Sequence, residues 1–351
     1  MLYNGRRKKR KARDMNIEIV TTLVGEKMNI WQSLITSAGL ATDEICDVTA
    51  LVYDGEELVA AGSREGAVLK LLAVKETRQG EDLAAKVVTA LRQNAIEAGY
   101  THLFIYTKPK NEKIFKGLFF KTIVKTDTVL LMESRAGIDR FIEKISTGVS
   151  HTPSGAIVMN ANPFTKGHRY LVERARAMCE RLYVFVLSED KSEFSAADRL
   201  EMVKRGVADI DGVAVLPTGP YLVSSATFPT YFLADRDSAT EARCEVDIEV
   251  FGRYFKDAFC ITRRFVGTEP YSPLTARYNA ALRAGLGKFG IECIEIPRLE
   301  ESGSAISASR VRDMLREGNV DAALTLLPAT TIGYLAERGI IKTTETEKND
   351  A

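Results

Sequence analysis

Apolar and polar positions along this chain follow two different rhythms. In the first 135 residues, apolar stretches at Ile17–Val24, Val48–Tyr53, Leu58–Ala61 and Val68–Val74 predict strands, with a short helix at Met28–Ala38. Asp54-Gly55 suits the positive φ angles of a tight turn, so the second and third stretches predict a hairpin. Leu83, Val87, Ala90 and Leu91 recur at the spacing of one buried helical face, and Gly99 closes that helix. A strand at His102–Tyr106, a short helix at Asn111–Lys116 and strands at Leu118–Val124 and Thr128–Met132 complete a mixed α+β pattern over residues 15–135.

Residues 136–153 read as a short helix and a linker. Beyond them, buried apolar strands at Ala156–Met159 and Leu182–Leu187 and further short strands at Val213–Leu216, Ile261–Val266 and Ile291–Ile296 alternate with helices at Gly167–Cys179, Ala196–Val207 and Leu274–Leu286. Such strands are buried on both faces, which predicts an α/β domain with a parallel sheet over residues 154–341. Residues 1–14 read as a basic flexible arm and 342–351 as a polar tail. Trp31, Phe119-Phe120 and Tyr254-Phe255 read as core, and the acids Asp237, Glu241, Asp247 and Glu249 as a solvated helix face.

Charge and cysteine content narrow the function classes. The 351 residues hold 48 Lys+Arg and 47 Asp+Glu, a net +1. Seven basic side chains and one acid in residues 1–14 make that arm +6, which leaves −5 for the rest. Net charge therefore does not indicate a body that binds nucleic acid. Five scattered cysteines without a C-x-x-C pair fit a reducing cytoplasm and no metal site. No apolar run reaches the roughly 18 residues of a membrane span. A cytoplasmic protein without membrane or nucleic-acid partners is expected.

The most informative stretch is Asn160-Ala-Asn162-Pro-Phe164-Thr165-Lys166-Gly167-His168, between a buried strand and an amphipathic helix. Ligands of parallel sheets bind outside the carboxyl ends of the strands, where helix N-termini offer free N–H groups. Gly167 lets backbone approach a ligand, and Thr165 and His168 at a helix start can point towards one phosphate. Thr165 also reads simply as an N-cap. Ile306-Ser307-Ala-Ser309-Arg-Val-Arg312 opens a second helix after the last strand and repeats the arrangement, with Arg312 one turn in. Gly267-Thr268-Glu269 follows another strand, and Lys191 and Arg199 follow a third, as site cations or as surface charges.

T-x-G-H with a later I-S-x-S-x-x-R resembles the nucleotidylyltransferase superfamily. The wider wording, Asn160 to His168, Ser224-Ser-Ala-Thr-Phe-Pro229 and Val266-Gly-Thr-Glu-Pro-Tyr271, is similar to the citrate lyase ligase family. The resemblance implies a Rossmann-like nucleotidylyltransferase domain preceded by a GNAT-like acetyltransferase-fold domain. It implies ATP-dependent acetylation, through acetyl-AMP, of the thiol on the acyl carrier subunit of citrate lyase. That thiol belongs to a phosphoribosyl-dephospho-CoA prosthetic group. Acetate is the second substrate, and Mg²⁺ accompanies ATP. On this reading Thr165, Lys166 and His168 hold the α-phosphate, and Ser307, Ser309 and Arg312 hold the β- and γ-phosphates. Asn160, Asn162, Phe164, Lys191, Arg199, Gly267, Thr268 and Glu269 line the nucleotide site. Transfer of AMP or CMP to a phosphorylated acceptor uses the same chemistry and stays open. The acetyl-CoA loop position reads Thr77-Arg78-Gln79-Gly80-Glu81-Asp82, and an acid there repels pyrophosphate. The first domain is therefore expected to hold the carrier's arm or to act as a scaffold.

Overall fold

The structure, a computed structural model, describes residues 15–149, 152–189, 192–222, 228–233, 236–268, 273–301 and 303–341. They divide into two compact units: up to Gly137 with Pro229–Ala239, and Ile138–Phe228 with the residues from Thr240 onward. The basic arm, Lys191, Ser224–Thr227, Glu269 and the polar tail lie outside the described residues.

The first unit is built on strands β1 (Met15–Val20), β2 (Val48–Asp54), β3 (Glu57–Glu65), β4 (Val68–Val74), β5 (Phe104–Thr107), β6 (Lys121–Lys125) and β7 (Leu130–Glu133). Their order is β1-β2-β3-β4-β5-β7-β6. Helices α1 (Gly25–Ser37), α2 (Leu83–Glu97) and α3 (Glu112–Gly117) accompany them. The apolar face of α2, Leu83, Val87, Val88, Leu91 and Ala95, is buried in one core with Val48, Val59 and Leu130. A Cβ on Gly62 of β3 would come within 2.6 Å of Val87, so that glycine lets the helix sit down on the sheet. Strands β4 and β5 are parallel but pair only at Val68–Phe104 and Leu69–Ile105. A cavity of about 1130 Å³ lies beside them, lined by residues of β4, α2, β5 and α3. The returning segment joins this unit through Glu44, whose Oε1 accepts from Thr230 N at 2.7 Å and Tyr231 N at 3.1 Å. The Tyr231 hydroxyl donates to Tyr106 O at 2.6 Å.

The second unit contains α4 (Ile138–Ile145), β8 (Ser154–Met159), α5 (Lys166–Arg176), β9 (Leu182–Val186), α6 (Ala196–Gly206) and β10 (Val213–Pro217). It continues from Thr240 through the rest of α7 (Arg236–Val250), a π-helical turn (Phe251–Phe255), α8 (Lys256–Ala258), β11 (Ile261–Gly267), α9 (Pro273–Leu286) and β12 (Glu292–Ile296). A two-strand ribbon, β13 (Glu300–Glu301) with β14 (Ser304–Ala305), precedes α10 (Ala308–Arg316), α11 (Val320–Thr325) and α12 (Ala329–Glu337). The main sheet is parallel throughout, in the order β10-β9-β8-β11-β12. Its first strand in sequence is central, so the chain reverses its direction of winding between β8 and β11. In parallel sheets a crevice opens at such a point.

Two sequence expectations are corrected here. The acids of α7 do not all form a solvated face: Glu241 is exposed, but Asp247 and Glu249 are buried, and the side chain of Asp237 lies outside the described residues. Asp247 pairs with the buried Arg264 at 2.9 Å and accepts from the Tyr278 hydroxyl at 2.8 Å, while Glu249 pairs with Arg253 and Lys288. Cations on neighbouring elements thus neutralise what looked in sequence like solvent-facing charge. Phe119 is not core either. It is 80% exposed and takes a left-handed φ of 66°, while Phe120 beside it is buried.

Candidate active site

Thr165 caps α5 with its hydroxyl oxygen, which accepts from His168 N at 3.3 Å. The return bond runs from Thr165 N to His168 Nδ1 at 3.1 Å, and the Thr165 hydroxyl lies 2.9 Å from the same nitrogen. A nitrogen that accepts from a backbone N–H carries no proton, so the imidazole proton sits on Nε2. Burial, with the positive charge of Arg298 second, pulls the His168 pKa from 6.5 down to about 4. His168 is therefore a neutral donor at pH 7, aimed through Nε2–H.

This has a consequence for stability. The pKa of His168 is lower folded than unfolded, so its contribution is full above about pH 6.5 and is lost as pH falls towards 4. Urea midpoints measured from pH 7 to pH 4 should fall less steeply for His168→Gln than for the wild type. Equal slopes would refute the neutral assignment.

Thr165 itself is fully buried. The expectation that it shares a phosphate with His168 is corrected: its hydroxyl is spent on the cap, and it orients the imidazole. Phe164, expected to line the nucleotide, is also fully buried. It packs where a Cβ on Gly206 would come within 2.3 Å and stacks under His168 at a centroid distance of 5.8 Å. Lys166 Nζ donates to Thr325 O, next to Leu326 O, which accepts from Lys166 N at 2.9 Å.

Arg199 is the clamp of the neighbouring loops rather than a ligand cation. It is fully buried, with Nη1 on Asn160 O at 2.9 Å and Asn160 Oδ1 at 2.6 Å, Nε on Phe194 O at 3.1 Å, and Nη2 on Glu189 O. Asn160 Nδ2 donates to Ser192 Oγ at 3.2 Å, and Asn162 Oδ1 accepts from Phe194 N at 3.1 Å. Both asparagines are thereby committed to shaping the loop after β8.

The second helix start does meet the first. A Cβ on Gly167 would lie 3.1 Å from Ile306 O, so the missing side chain lets α5 approach the chain entering α10. Arg312 Nη1 donates to Asn162 O at 2.5 Å and lies 3.5 Å from Ser309 Oγ through Nη2. Ser307 caps α10, accepting from Arg310 N at 3.2 Å. Neither α5 nor α10 has an acid in its first turn, so both positive helix ends stand uncompensated by their own side chains.

At the end of β11, Thr268 N donates to Ile296 O at 2.9 Å, and Gly267 O accepts from Asn279 Nδ2 at 2.9 Å. Arg298 arches over this corner, with Nε on Thr268 O at 2.7 Å and its backbone N on Thr268 Oγ1 at 3.2 Å. Sequence reading missed Arg298. Its only signal was an isolated cation immediately beyond the carboxyl end of a parallel strand. His168, Arg298, Arg312 and two helix N-termini together form a corner suited to a polyanion bearing a reacting phosphate.

Residues 154–335 match the family model "Citrate lyase ligase C-terminal domain". The [citrate [pro-3S]-lyase] ligase of Klebsiella pneumoniae is 39% identical over 307 residues, 85% of this chain and 89% of that protein. Among solved structures, a putative N-acetyltransferase from Lactobacillus plantarum covers 34% of this chain and 96% of its own, at 14% identity and a TM-score of 0.29. Thermotoga maritima TmcAL bound with alpha-thio ATP covers 53% of this chain and 55% of its own, at 16% identity and a TM-score of 0.34.

Proposed function

The chain belongs to the citrate lyase ligase family and is a ligase; from that premise we propose that it acetylates the carrier subunit of citrate lyase at the expense of ATP. Acetate, ionised at neutral pH, attacks the α-phosphorus and expels pyrophosphate. The carrier's thiol then takes the acetyl group from acetyl-AMP and releases AMP. No base is needed to activate a carboxylate, so the protein's work is alignment and charge stabilisation.

The observation that carries the reading is the neutral His168 held beside Arg298 at the start of α5. A neutral Nε2–H donates to phosphate oxygen without offering a proton to acetate. Arg298 supplies the fixed positive charge at the same corner, and Thr165 orients the imidazole. Arg312, Ser309 and the N–H groups of α10 are assigned to the β- and γ-phosphates and the leaving pyrophosphate. Gly267 and Thr268, with Lys191 and Glu269, are assigned to the nucleoside.

Among the described residues, no group of three or more His, Cys, Asp or Glu is placed to hold a metal ion. Mg²⁺ is assigned to the nucleotide, entering on the phosphates as part of the substrate. Among the described residues no helix is long and apolar enough to cross a membrane.

The test is pyrophosphate release with ATP, acetate and the thiol-form carrier, omitting each in turn. Release should require acetate, and sustained turnover should require the carrier and yield free AMP. A product in which AMP stays covalently attached to an acceptor would overturn the reading.

A further inference from the structure

Glu193 lies on the loop between β9 and α6, and both of its neighbours are fixed. Ser192 Oγ accepts from Asn160 Nδ2 at 3.2 Å, and Phe194 N donates to Asn162 Oδ1 at 3.1 Å. The carboxylate so placed meets two arginines one turn apart on α10. Its Oε2 lies 2.6 Å from Arg316 Nη2 and 3.7 Å from Arg312 Nε. Arg316 also pairs with Asp313 at 3.0 Å, whereas Arg312 forms no other ion pair among the described residues.

Arg312 has donors to spare. Nη1 donates to Asn162 O and Nη2 rests on Ser309 Oγ, so one N–H on each of these nitrogens has no partner among the described residues. Together they form the fork by which arginine takes two phosphate oxygens. An anion in that fork competes with Glu193 for the same positive charge, and Glu193 is itself shared with Arg316. The hold of Arg312 on a phosphate thus depends on a row of alternating charges running through Glu193 to Arg316.

We propose that Glu193 and Arg316 are positioning residues that set how tightly Arg312 holds the departing pyrophosphate. The proposal rests on the assignment of Arg312 to the β- and γ-phosphates under the proposed function. When acetate bonds to the α-phosphorus, the bridging oxygen leaves with the electron pair. Pyrophosphate therefore carries more negative charge than the same groups did in ATP, and an unopposed guanidinium would grip product harder than substrate. Glu193 weakens that grip, and Arg316 limits how far it does so. Both side chains are partly exposed, so their ion pair adds little to stability and neither substitution should unfold the chain.

Calorimetry on the full chain, with pyrophosphate as the probe, reads the effect. Glu193→Gln keeps an acceptor beside Arg312 but removes the charge, and should lower the pyrophosphate Kd about threefold. Arg316→Gln leaves Glu193 to Arg312 alone, and should raise the Kd by a similar factor. With both substitutions together the Arg316 effect should vanish, because its route through Glu193 is gone. The KM for acetate should stay at its wild-type value in all three, since acetate approaches the α-phosphorus opposite the leaving group. Shifts of the same sign in the single variants, no shift in either, or an Arg316 effect that persists without Glu193 overturn the proposal. Arg312→Gln tests the premise separately: it should weaken pyrophosphate by about tenfold, and a wild-type Kd there overturns the assignment of Arg312 itself.

Discussion

Replacing His168 by alanine lowers acetate-dependent pyrophosphate release by about 10²- to 10³-fold, the usual loss when one preorganised donor to a developing charge is removed. The reason lies in how the ring is held. Thr165 N and the Thr165 hydroxyl occupy Nδ1, and Phe164 stacks on one face, so Nε2–H points in one direction with little freedom. His168→Gln, whose amide nitrogen falls near the Nε2 position, should retain more activity than His168→Asn, whose amide falls near Nδ1. The wild-type rate should show no ionisation of His168 between pH 5.5 and pH 8, because the imidazole titrates at about 4. Thr165→Ala should depress kcat through misorientation while leaving the KM for ATP nearly unchanged, as befits a group that acts through another. If His168→Ala keeps its rate within about tenfold of wild type, the donor role is wrong.

The local signals at this site were legible because they are short-range. A threonine three residues before a histidine, after an apolar strand and before a helical face, specifies the capping box whatever surrounds it. The strands were legible for a similar reason: Leu182–Val186 is a continuous apolar run, and Val68–Val74 is one broken only by Lys70. What could not be read was which polar groups would face inward. Arg199 looked like one cation among many, yet it bonds Asn160, Phe194 and Glu189 on loops up to 39 residues away. Phe164 looked available to a nucleotide because sequence cannot show that Gly206 leaves a hollow beneath it. Arg298 reaches the site by arching back over Thr268, a long-range turn with no periodic signature. The return of Pro229–Ala239 to the first unit is equally silent, since its anchors, Glu44 and Tyr106, lie more than 120 residues away in sequence.

The buried pair behind the sheet gives the largest expected loss of stability. Asp247→Ala should cost about 3–5 kcal/mol, because it strands the Arg264 guanidinium in the interior without its counter-charge. Arg264 is 1% exposed on β11, two residues from Val266 and three from the Gly267 corner, so its displacement should also disturb the site. Its remaining partners are modest: the Tyr278 hydroxyl at 3.1 Å and the face of Phe251 at 4.4 Å. Neither can replace a carboxylate. Removing both charges is a different matter. Asp247→Leu with Arg264→Met, and Tyr278→Phe to retire the hydroxyl left without an acceptor, should be far milder than the single change, since no charge is then left buried. Urea unfolding followed by circular dichroism measures both variants. Had α7 turned its acids to solvent, Asp247→Ala would cost under about 1 kcal/mol. A loss that small would mean that Arg264 draws its compensation from somewhere other than this carboxylate.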